Sequence, residues 1–147
     1  MLGSYKTASV DQPKGAITDL ATDIVDVMRG YKTMQERAED DLRPIVERLH
    51  TLHSHHASAL FRVLETYGGE PDKAGSIMGV VHSVVATARD WTGSLDTSAL
   101  PQILAGEKQV INSYSAAIDN LKDAPRLRGI LEDQRAVLRA HIAALEQ

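Results

Sequence analysis

The chain has 147 residues, of which 43% are hydrophobic and 24% charged, the proportions of a folded domain rather than of a disordered chain. That length suits a single domain, and a formal charge of -4 with no run of Lys and Arg excludes an extended grip on nucleic acid or on an anionic membrane surface. With no cysteine there is no disulfide, thiolate ligand or thiol nucleophile, so any metal would fall to the six histidines and the carboxylates.

Residues 1–15 lack the basic start and apolar run of a secretory leader, and no stretch approaches the ~20 apolar residues of a membrane span, so the sequence reads as cytoplasmic. The same polar segment, with Pro13 and Gly15, is expected to be a flexible tail before one domain over 16–147. Ile17, Leu20, Ile24, Val27, Tyr31, Met34 and Ala38 then recur at alternating three- and four-residue steps, which predicts a first helix over 16–38. A second helix, over 42–67, is predicted from a cap at Asp40 or Asp41 and Pro44 in its first turn, where a missing N–H costs nothing.

Gly68, Gly69 and Pro71 end that helix, and Ile77, Val80, Val81, Val84, Ala88 and Trp91 mark a short amphipathic crossover helix. After a break over 93–98, Pro101 stands near the start of a third helix carrying Leu100, Ile103, Leu104, Val110, Ile111, Tyr114, Ile118 and Leu121. Asp123 and Pro125 punctuate the chain before a fourth helix with Leu127, Ile130, Leu131, Val137, Leu138, Ile142 and Leu145. Nothing reads as a strand. Two helical hairpins joined by a long connection describe an all-α fold, a four-helix bundle with a short crossover helix between its second and third helices, which then run parallel.

Polar residues on the apolar stripes carry the functional information, because a buried polar group needs a partner or costs about 1–3 kcal/mol. On the second helix the stripe Leu42, Val46, Leu49, His53, His56, Leu60 and Val63 turns two histidines inward. The third helix places Glu107 on its stripe and the fourth places Gln134 and His141. Counting from the turn near Asp123 sets Glu107 opposite residues 139–141, and His53 and His56 lie at a similar height.

Two readings follow. His53, His56, Glu107 and His141 either form a metal site, for which imidazole and carboxylate from facing helices suit iron or zinc, or they satisfy one another as a polar layer that fixes helix register. Glu47 and His50 have the Glu-x-x-His spacing of a di-iron helix but each sits one position past a stripe residue. Tyr31 and Tyr114 read as core aromatics whose hydroxyls reach the layer. There is no glycine-rich phosphate loop, no Gly-x-Ser-x-Gly and no His-Glu-x-x-His, which removes the common kinase, hydrolase and zinc-protease designs.

The order Gly30-Tyr31, Gly68-Gly69-Glu70-Pro71, Gly75-Ser76, Gly79, His82, Gly106-Glu107 and Tyr114 resembles an uncharacterised bacterial family of ferritin-like four-helix bundles, classed as a domain of unknown function, over residues 17–147. The resemblance implies a ferritin-like fold. The di-iron pattern of that wider superfamily takes a Glu from each of two helices and Glu-x-x-His from each of the others. Glu107 and His141 match parts of it, but Leu138 stands three before His141, Arg135 stands three after Glu132, and the first helix offers only Asp23 and Asp26 beside its inward face. The sequence is therefore expected to specify a non-catalytic bundle, a stress-related or assembly protein acting through its helix faces, with a reduced metal site as the alternative. Ile45, Leu52, Ala59 and Val85 widen the apolar surface and suggest a homodimer.

Overall fold

The computed structural model describes residues 2–66 and 93–147, with side chains from residue 15 onward. The described chain is helical: α1 (Leu2–Gln35), α2 (Arg43–Thr66), α3 (Leu100–Asp119) and α4 (Pro125–Glu146), with a 3-10 turn at Thr97–Ala99 leading into α3. Among the described residues there is no strand, only one isolated parallel bridge between Ala38 and Leu95. The expected crossover helix, with His82 and Val85, lies outside the described residues.

Each helix follows from its punctuation and its stripe. Prolines stand in the first turns of α3 and α4, where no intrahelical partner for their nitrogen is required. Asp96, in an extended conformation, accepts the Ser98 N–H at 2.9 Å and so holds the turn that opens α3. Asp40 meets the Arg43 guanidinium at 2.8 Å, and the same guanidinium donates to the Ala38 carbonyl at 2.7 Å, which braces the α1–α2 turn. The backbone of α1 is helical well before the expected start at 16. The stripe marked the packed face rather than the extent of the helix: Gly15 is exposed, whereas Ala16, Ile17, Leu20, Ala21 and Ile24 are buried.

Side-chain pairs give the helix directions. Tyr31 meets Glu107 while Asp23, two turns earlier on α1, meets Ser113, so α1 and α3 are antiparallel. His53 meets Glu107 and His56 faces Tyr114, so α2 and α3 ascend together. Lys108 with Glu146 and Tyr114 with Gln134 make α3 and α4 antiparallel.

The apolar interior falls into two clusters. One is built on Ile17, Leu20, Ile24, Leu60, Val110 and Leu131, and the other on Met34, Leu42, Val46, Leu49 and Ile103. A fully buried leucine contributes about 2 kcal/mol, so both are substantial. Along α2 the gap between the clusters contains His53 and His56, and along α3 it contains Glu107. The polar residues therefore form a layer across the interior.

Candidate functional site

Glu107 reaches the layer from the middle of α3 and is fully buried, as is His53 on α2. Both neighbours converge on one oxygen of its carboxylate: Tyr31 donates its hydroxyl to Oε2 at 2.6 Å, and His53 Nε2 lies 2.8 Å from the same atom. A carboxylate oxygen accepts, so the imidazole presents its Nε2–H to it. The Tyr31 and His53 rings stack with centroids 6.0 Å apart and planes 14° from parallel. Three helices thus meet at a single atom. The other carboxylate oxygen, Oε1, and His53 Nδ1 are buried with no hydrogen-bond partner among the described residues.

The electrostatics follow from this contact. Burial, together with the charge and hydrogen bond of Glu107, raises the Tyr31 phenol well above its ordinary value, so it remains a donor. A second network lies one to two turns along. Tyr114 donates to Gln134 Oε1 at 2.7 Å, its oxygen faces His56 Nδ1 at 3.5 Å, and the Gln134 amide approaches the His56 carbonyl at 3.5 Å. Burial and, secondarily, the charge of Glu107 raise the Tyr114 phenol. Burial lowers His56 from 6.5 to about 4, reinforced by His53, His55 and His141 and opposed by Glu107.

The four residues expected to form one site divide as follows. Glu107 and His53 are bonded, His56 belongs to the adjacent Tyr114–Gln134 network, and His141 is hydrogen-bonded to neither, although its charge reaches His56. His141 is half-buried and lines an open groove between α2 and α4 together with Pro44, Glu47, Arg48, Thr51, Leu52 and His55. Glu47 is exposed on that groove, so Glu47 and His50 present no Glu-x-x-His pair to the interior. Ile45 and Leu52 are partly buried and pack against the two core clusters. The Asp23–Ser113 bond between α1 and α3, at 2.7 Å, escaped the sequence reading because Ser113 follows Asn112 off the apolar stripe and only its partner flanks one.

These residues do not fit a di-metal centre. Such a centre takes carboxylates from two helices and a Glu-x-x-His from each of the other two. Here α1 supplies a phenol to Glu107 and carries Asp26 as its buried carboxylate in place of a Glu, α2 has His50 three residues before His53, and α4 has Leu138 three before His141. The Oε2 atom of Glu107 is already engaged twice, and among the described residues no three His, Asp or Glu side chains gather as a metal-holding group.

A family model described as a domain of unknown function, DUF2383, matches residues 14–120, and the chain belongs to that family. The match ends at the foot of α3, so α4, with Gln134 and His141, lies beyond it, short of the expected span of 17–147. No curated protein and no solved structure matches the chain.

Proposed function

We propose that this DUF2383 protein is a ferritin-like four-helix bundle without a catalytic centre of its own, built to present its helix faces for binding or assembly, in which the Tyr31–Glu107–His53 layer locks three helices in register. The observation that carries the reading is the single Oε2 atom of Glu107 taking hydrogen bonds from α1 at 2.6 Å and from α2 at 2.8 Å, both wholly inside the protein. An oxygen so engaged is a structural acceptor, since a metal there would have to displace two charge-assisted hydrogen bonds. The ferritin-like assignment is supported by the up, down, down, up order of the helices and by a connection of about thirty residues between α2 and the turn before α3.

The test is elemental analysis of protein purified without chelator, followed by oxygen uptake on addition of ferrous iron. The expected result is substoichiometric metal and no uptake above buffer. Stoichiometric iron with oxygen-dependent turnover would sink the proposal.

A further inference from the structure

We infer that Tyr31 is a site of reversible one-electron oxidation, in which Glu107 takes the phenolic proton as the electron leaves. The inference goes beyond a structural layer and concerns a stoichiometric store for one oxidising equivalent. The electron passes to a high-potential one-electron oxidant, for which photogenerated ruthenium(III) tris-bipyridine serves as the probe. The Tyr31 O–H bond breaks, an O–H bond forms on Glu107 Oε2, and the oxidant is reduced by one electron. The products are a neutral phenoxyl radical, a neutral carboxylic acid and ruthenium(II).

Geometry comes first. The hydroxyl is 2.6 Å from Oε2, within the hydrogen-bond reach that direct proton transfer requires. Charge comes second. Loss of the proton alone would set a phenolate beside a carboxylate in the core, whereas loss of proton and electron together exchanges a buried carboxylate for two uncharged groups. Protection comes third, because Tyr31 is 3% exposed and its ring lies against His53, which keeps a radical from coupling with another chain.

Tyr114 supplies the internal control. It is equally buried, but its hydroxyl donates to the amide oxygen of Gln134, which is not a base near neutral pH. The nearest nitrogen, His56 Nδ1, is 3.5 Å away, and burial leaves that imidazole a weak base. Oxidation of Tyr114 therefore lacks a proton acceptor comparable to Glu107.

The experiment is flash oxidation of the full chain with the ruthenium probe, followed by electron paramagnetic resonance and repeated in D2O. The wild type should give a phenoxyl signal that outlives that of free tyrosine at least tenfold and forms more slowly in D2O. Tyr31→Phe should abolish the long-lived signal, Tyr114→Phe should keep it, and Glu107→Gln, which retains an oxygen acceptor, should cut its yield at least tenfold. A long-lived signal that survives Tyr31→Phe, or is unchanged in Glu107→Gln, overturns the inference. The absence of any deuterium effect in the wild type overturns it without recourse to a variant. Iron content does not enter these readouts, so this inference and the structural reading fail separately.

Discussion

Acid should weaken this fold through His56. In the unfolded chain the imidazole takes a proton near 6.5, but in the folded protein only near 4, because burial opposes the charge and His53, His55 and His141 repel it. Above about pH 6.5 the group is neutral in both states and its full contribution is present. As pH falls toward 4 the unfolded chain binds the proton first, so stability declines across that window and this group adds nothing further below it. At about 1.4 kcal/mol per unit the depression would correspond to a ceiling of about 3 kcal/mol. Solvent reaches the groove that holds His55 and His141, and screening there brings the expected loss to about 1–2 kcal/mol. The assay is urea unfolding at steps from pH 7 to pH 4, followed by far-ultraviolet circular dichroism, for the wild type and for His56→Gln. The variant will lose some packing at every pH, so the informative quantity is the slope, which should be shallower than that of the wild type between pH 6.5 and 4. Parallel slopes would refute the reasoning.

Two further changes separate the layer from the backbone that positions it. Glu107→Leu removes the acceptor of both the Tyr31 hydroxyl and the His53 imidazole and should cost about 1–3 kcal/mol for each donor left unpaired, read by chemical denaturation at pH 7; adding Tyr31→Phe should recover the share due to the phenol. Gly93 holds φ at +78° with no atom of the described residues within 4 Å of an added methyl, so Gly93→Ala should cost about 1 kcal/mol from backbone strain, seen as a lowered thermal midpoint, and no change would show that this turn relaxes freely.

Much of the architecture was legible because the apolar residues of this chain repeat cleanly. The same stripes exposed the layer: His53, His56, Glu107 and Gln134 interrupt apolar series, and all four are buried. His141 shows where that reasoning fails. After Leu138, a step of three reaches His141 and a step of four reaches Ile142, and both satisfy a helical period. Ile142 takes the core, and His141, rotated about 100° from it, faces the groove. Periodicity names the inward face only to within one residue, and transfer energy then favours the isoleucine. The start of α1 was missed for a related reason, since Pro13 and Gly15 mark poor helix formers but the backbone can remain helical through them.

The parallel course of α2 and α3 explains why the layer can act as a lock. The chain leaves α2 at Thr66 and resumes beside the opposite end of the bundle, where Glu39 N donates to the Leu95 carbonyl at 2.7 Å and Leu95 N donates to the Arg37 carbonyl at 2.8 Å. A helix of α2's length rises about 36 Å, so Thr66 and Leu95 stand near opposite ends of the bundle. Apolar packing alone fixes the register of these helices poorly, because leucines on either side of the layer can exchange neighbours at modest cost. Glu107 cannot. A slide of α3 by one turn toward Leu49 or toward Leu60 would carry its carboxylate away from Tyr31 and His53 and into one of the two apolar clusters, leaving a buried charge unpaired at a cost of about 3–5 kcal/mol. The layer therefore selects one register from several that the hydrophobic stripes alone would tolerate.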